Sequence, residues 1–227
     1  MAIALILILL VLLLVGPQLW VQHVLARHNR QPEANFPGTG GELARHLLDR
    51  YGLGEVAVEA SERGDHYDPS ARAVRLTPDK HDGRTLTAIT VAAHEVGHAL
   101  QHAADEPLFR WRTRLAGFAV AAQKLGSFLL FLAPLLVLST RLPSPGLISA
   151  LAAFLMLGLG VLVQLVTLPV ELDASFRKAL PLLASGYLEP GQMRPARRIL
   201  RAAALTYVAA SLVGLLNFWR WLRLLRR

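Results

Sequence analysis

Long apolar blocks constrain this chain more than any other feature. An α-helix rises 1.5 Å per residue, so about twenty apolar residues cross a hydrocarbon core roughly 30 Å thick. Four blocks reach or approach that length: Ile3 to about Leu25, Leu115 to Leu138, Leu147 to Leu168, and about Ala202 to Trp219. The first is almost unbroken Leu, Ile and Val as far as Val15, then meets Gly16-Pro17. It lacks the basic start and the small-x-small site of a cleaved leader, so it is expected to stay as an anchor. The second contains Gln123-Lys124, and a lysine there can snorkel to the headgroups. A turn from Ser139 to Gly146 with two prolines folds the second and third blocks into an antiparallel helical hairpin. Gly158 and Gly160 in the third block permit close helix contact.

The formal net charge of +8 invites a nucleic-acid reading, but its distribution argues against one. Residues 23–115 hold 12 Lys+Arg against 13 Asp+Glu, whereas from 116 onward there are 12 against 3. Basic residues flanking apolar spans are topology signals whose partners are anionic lipids; the lipid bilayer, not nucleic acid, is the expected partner. Arg27 and Arg30 follow the first block, and Arg110, Arg112 and Arg114 precede the second. By the positive-inside rule the region between them faces the cytoplasm of a multi-pass protein of the cell membrane. The basic tail Arg220, Arg223, Arg226 and Arg227 breaks that rule if the fourth block spans, which would make that block a re-entrant or surface helix. The sequence assigns no oligomeric state.

The polar stretch between the first two blocks reads as a small domain. Arg27 to Gly41, rich in Gly and Pro, is a linker. Thr39-Gly-Gly-Glu42 has capping-box spacing, and Leu43, Leu47, Leu48 and Tyr51 follow at helical intervals before Gly52. Glu55 to Glu59 and Ala71 to Leu76 alternate with period two around turn residues Gly64 and Asp68-Pro69, which predicts a β-hairpin or a strand pair. Thr85 to about Ala104 reads as helix, ended by Asp105-Glu106-Pro107. Phe109-Arg-Trp111-Arg-Thr-Arg114 is an aromatic and basic girdle of the kind found at a membrane surface. The expected fold class is mostly α, an integral-membrane helical bundle carrying a small α+β metal-site domain. Its parts are an anchor (1–25), a metal-site region (26–114), a transmembrane hairpin (115–170), and a third-ligand helix with a membrane or interfacial helix (171–227).

All eight histidines fall between His23 and His102, and there is no cysteine. Disulfides and thiolate ligands are therefore excluded, and any zinc must be held by imidazole and carboxylate. His94-Glu95-Val-Gly-His98 matches H-E-x-x-H. Residues four apart share a helix face about 6 Å apart along the axis, so two imidazoles can grip one ion, and Glu95 is placed to take a proton from water. This composition produces the pattern by accident in roughly one chain in a hundred, and an uninterrupted helical lead-in from Leu86 strengthens it. The bland alternative is a surface helix with two histidines. His102 lies too far along a straight helix to join His94 on one ion, and reads as solvent-facing or as supporting a ligand.

A catalytic zinc needs a third protein ligand and an open position. Glu171, in Pro169-Val-Glu-Leu-Asp-Ala-Ser175 directly after the third block, is the candidate, since the hairpin returns the chain to the side of the H-E-x-x-H helix. The rival reading makes Glu171 and Asp173 ordinary interfacial charges paired with Arg177 or Lys178.

Four stretches in order carry a wider resemblance: Thr39-Gly-Gly-Glu-Leu-Ala-Arg45; Asp65-His-Tyr-Asp-Pro69 with Val74-Arg-Leu76; Val91 to Gln101; and Leu168 to Ser175. In these the chain resembles the YugP-like neutral zinc metallopeptidases, and more distantly the membrane proteases of the prenyl-protease and heat-shock type. In the latter the third ligand is a Glu on a later helix, with an Asp four residues on. Glu171 matches that ligand, but position 175 is Ser and the nearby acid is Asp173, so a supporting role for Asp173 transfers only weakly. The resemblance implies Zn²⁺ held by His94, His98 and Glu171 and a peptide or membrane-protein substrate. Glu95 would act as general base toward the attacking water and pass the proton to the departing amine. His66, Tyr67 and Arg177 are candidate donors to the oxyanion, against the plainer reading of Asp65 to Pro69 as a turn. Two alternatives stay open: a membrane scaffold or chaperone-like protein with a non-catalytic metal site, and a metal-dependent hydrolase of a non-peptide bond.

Overall fold

A computed structural model describes residues 2–30 and 36–225. Residues 31–35 of the expected linker, and Arg226 and Arg227 of the basic tail, lie outside the described residues. The chain is mostly helical with one small sheet, and it divides into two compact units. One comprises residues 20–111 and 168–205, the other residues 1–19, 112–167 and 206–227.

The first unit is built around α4 (Leu86–Ala103), buried along almost its whole length. Thr85 caps it, accepting from the Ala88 amide at 3.0 Å, which satisfies one of the amides a helix start leaves without an intrahelical partner. α2 (Gly40–Arg50) packs against it through Leu43, Ala44, Leu47 and Leu48. The expected capping box is present: the Glu42 amide donates to Thr39 Oγ1 at 3.2 Å, and the Thr39 amide donates to Glu42 Oε2 at 2.7 Å. The last turns of α1 (Ala2–Arg27) bury Val21 and Val24, and the Leu25 carbonyl accepts from Thr87 Oγ1 at 2.9 Å. The start of α4 is thereby tied to the end of α1.

A three-stranded sheet, order β1-β3-β2, packs on α4. β1 (Ala57–Ala60) and β3 (Ala73–Leu76) correspond to the two alternating segments, but they pair in parallel. The hairpin is formed instead by β3 and the intervening β2 (His66–Asp68), antiparallel with Tyr67 opposite Val74. The turn between them is set by Asp68, whose Oδ1 accepts from the Ser70 and Ala71 amides while its Oδ2 meets Arg75 at 2.6 Å. Asp65 performs a matching task, accepting from the amide and hydroxyl of Thr77 and pairing with Lys80 at 3.1 Å. A short α3 (Pro78–His81) follows.

Most of α5 (Pro107–Thr140) and α6 (Pro143–Asp173) belongs to the second unit; the two helices are joined by Arg141 and Leu142, with Arg141 at φ 56°. They pack antiparallel through small residues: Ala133, Ala150 and Ala153 are buried with Leu130, and Ser149 Oγ donates to the Leu129 carbonyl at 2.7 Å. Among the described residues, α5 and the helical run Pro143–Ala184 are long and apolar enough to cross a membrane. Their large side chains are largely turned outward: Phe131, Leu138, Leu147, Ile148 and Leu151 are all exposed.

The run that begins as α6 does not stop at Asp173. It widens into a π-helical segment, Ala174–Ala179, and returns to ordinary helix as α7 (Leu180–Ala184). The chain ends its described part in α8 (Met193–Leu225), which takes up the fourth apolar block without interruption.

Candidate metal centre

Within the first unit, α4 and the end of α6 bring His94, His98 and Glu171 together. One ligand atom from each lies within 4.8 Å of the others. His98 Nε2 is 3.0 Å and His94 Nε2 is 3.5 Å from Glu171 Oε2. Zinc bonds of about 2.0–2.1 Å at tetrahedral angles place neighbouring ligand atoms roughly 3.3 Å apart, so these separations bracket what one ion requires. The imidazole rings lie edge to face, 4.8 Å between centroids. All three residues are almost fully buried, at 2, 2 and 3% exposure. A buried carboxylate against two imidazoles is costly unless a cation balances it. The donor set of two nitrogens and one oxygen is one that zinc accepts.

The approach of the two elements depends on Gly97, the second variable residue of H-E-x-x-H. A Cβ there would lie 2.7 Å from the Ala174 carbonyl oxygen. α4 and the π-helical segment therefore touch backbone to backbone one residue from His98. Glu95 is buried as well, at 6% exposure.

Two residues without an assigned part in the sequence reading stand behind the ligands. Gln101 Oε1 is 2.9 Å from His98 Nδ1, and Ser175 Oγ is 3.0 Å from His94 Nδ1. Gln101 carried a signal, being the polar residue three after His98 on the same stripe. Ser175 was visible only as a departure from an expected Asp. Lying four residues after Glu171, it shares that residue's side of the helical run and is fully buried.

The other candidate residues separate cleanly. Asp173 joins the centre indirectly, accepting from Gln101 Nε2 at 2.8 Å. Arg177 is largely exposed and lies 3.6 Å from Asp173 Oδ1. His66 turns its Nδ1 to the Gly64 carbonyl at 3.0 Å, a bond that serves the turn. Tyr67 is buried, and its hydroxyl meets His102 Nδ1 at 2.8 Å. Burial raises the Tyr67 phenol above its ordinary value, with Arg72 pulling the other way. His102 is thus half-buried and bonded to the sheet, stacked on Phe109 at 5.5 Å, and Phe109 also meets the His98 ring at 6.1 Å.

Comparison with known proteins decides the family. The family described as "Putative neutral zinc metallopeptidase" matches residues 3–226. The chain belongs to this family. Zinc is therefore the metal its members are named for, and the triad of His94, His98 and Glu171 is a group able to hold it. The chain is also 41% identical over 192 residues to the "Putative membrane protease YugP" of Bacillus subtilis (strain 168), covering 83% of this chain and 81% of that one. No solved structure matches this member of the family.

Proposed function

We propose that this family member is a membrane-embedded zinc metallopeptidase that hydrolyses peptide bonds of a peptide or membrane-protein substrate, with His94, His98 and Glu171 as the zinc ligands and Glu95 as the general base. The observation that carries this reading is the convergence of three buried ligand atoms within 4.8 Å of one another, with a carboxylate adjacent in sequence to the first of them. Zinc bound there supplies a water acidic enough to react at neutral pH and a Lewis acid for the scissile carbonyl. The protein's own part is positioning and proton transfer. The Glu95 carboxylate takes the proton of the attacking water as the C–O bond forms, and gives it to the amide nitrogen as the C–N bond breaks. Burial of the centre keeps that carboxylate in a low-dielectric setting, where its charge acts strongly.

The membrane part of the reading rests on α5 and α6, whose outward faces are apolar, and on the name of the Bacillus relative. By the charge pattern around the first two blocks, the centre faces the cytoplasm. Purified protein loaded with zinc and incubated with unstructured peptides provides the test. Glu95→Gln is expected to lower hydrolysis by about 10²–10⁴-fold while zinc content stays at the wild-type level. Undiminished cleavage by that variant would sink the general-base assignment, and full zinc occupancy in Glu171→Ala would sink the third ligand.

A further inference from the structure

We infer that Ser175 and Gln101 are positioning residues that fix the tautomers of the two histidines, so that both present a bare Nε2 to the metal. The inference rests on the proposed centre and extends it to residues that touch no substrate.

The argument is one of donors and acceptors. A neutral imidazole carries one proton, and whichever nitrogen holds it cannot bind a metal. The Ser175 hydroxyl has a single proton, and its oxygen lies 3.1 Å from the Leu200 carbonyl oxygen, which can only accept. That proton is therefore committed to Leu200. Toward His94 Nδ1, at 3.0 Å, the Ser175 oxygen is left to accept, which requires the proton of His94 to sit on Nδ1. Gln101 reaches the same result by another route. Its Nε2 donates to the Val170 carbonyl at 3.0 Å and to Asp173 Oδ2 at 2.8 Å. Two acceptors on that side fix the amide's orientation, so the atom 2.9 Å from His98 Nδ1 is Oε1, an acceptor. His98 must then carry its proton on Nδ1 too.

Both Nε2 lone pairs consequently face Glu171 Oε2, at 3.5 and 3.0 Å. Three acceptor atoms at that spacing repel unless something positive lies between them. The outer bonds thus prepare a cation site, and each extends to a fixed point of the fold. Ser175 is fully buried and anchored on α8 through Leu200; Gln101, at 1% exposure, is anchored on α6 through Val170. Asp173 closes the second route, with Lys178 3.8 Å away and itself bonded to Glu106 at 2.6 Å. The amide of Gln101 stands between the Asp173 charge and His98. It passes on orientation without offering the imidazole a carboxylate that could take its proton.

The full-length protein in detergent, with ¹⁵N-labelled histidine, decides the matter through two readouts. In the metal-free protein, imidazole ¹⁵N spectra should show both Nδ1 atoms carrying a proton, and that proton partly lost from one ring in Ser175→Ala and from the other in Gln101→Leu. Competition for Zn²⁺ against a chromophoric chelator should show each variant binding about 10–100-fold more weakly. Ser175→Thr, which keeps the hydroxyl, should recover most of the loss. Unaltered tautomers and unaltered zinc affinity in both removal variants would overturn the inference. A wild-type protein that takes up no zinc would instead overturn the reading of the centre, while the tautomer comparison would still decide the roles of Ser175 and Gln101.

Discussion

Gly97 shows how much a single atom decides here. Its missing Cβ lets α4 lie against the Ala174 carbonyl, one residue from the ligand His98. Gly97→Ala should force the two backbones apart, at a cost of about 1–3 kcal/mol by the usual penalty for overpacking. Zinc should bind more weakly for the same reason, because Glu171 rides on the displaced strand of helix. Thermal melts of the metal-free protein and zinc titrations would show the two effects separately. Asp68 gives a residue-scale prediction of another kind. The Ala71 amide, together with the Ser70 amide and Arg75, holds its carboxyl below the usual carboxylate value, against a smaller opposing effect of burial. A folded value below the unfolded one means that Asp68 stabilises the fold above the unfolded value, about 3.9. That contribution is lost as the pH falls through the lower, folded value. The melting temperature of Asp68→Asn should therefore lie below that of wild type at neutral pH, and the gap should narrow as the solution is acidified below about pH 4.

Elements differ in how plainly the chain announces them. α2 was legible because its signals are local: Thr39 and Glu42 at capping-box spacing, then an apolar stripe. Thr39→Ala should cost about 1 kcal/mol of stability, read from denaturant midpoints. The H-E-x-x-H helix was legible for the same kind of reason, with Thr85 before it and Asp105-Glu106-Pro107 after it. The sheet was only half legible. Alternation located β1 and β3, but nothing local tells whether two strands run parallel or antiparallel. β2, three residues long, is too short for a period to emerge. The π-helical segment was not legible at all, since the residues Ala174 to Ala179 would suit an ordinary helix; its wider turn is a tertiary choice. Ser175 looked like a missing Asp because its part shows only in a contact across two elements, with His94. The convergence of His94, His98 and Glu171 was readable because H-E-x-x-H puts two histidines on one face by spacing, and the glutamate follows an apolar block that ends nearby.

At the scale of the whole molecule, the chain combines a buried polar centre in one unit with outward apolar faces in the other. Among the described residues, two helices are long and apolar enough to cross a membrane, and the Bacillus relative is named a membrane protease. An Arg in place of Phe131 or Leu151, both outward on these helices, should oppose insertion by about 2.5–3.5 kcal/mol. A reduced share of the variant in carbonate-washed membranes would be the sign. The span, the third ligand and the serine behind His94 all lie on one unbroken helical run, Pro143–Ala184. Its wide turn makes counting matter more than spelling. A π turn holds about one residue more than an ordinary turn. Delete one residue between 174 and 179, and the segment can relax to the common helix with Leu180, Leu182 and Leu183, now buried, still on their own side. Add one instead, and each later position swings by about 100° about the axis, carrying those leucines away from the core while every side chain stays chemically unchanged. The segment can lose a residue, but it cannot gain one.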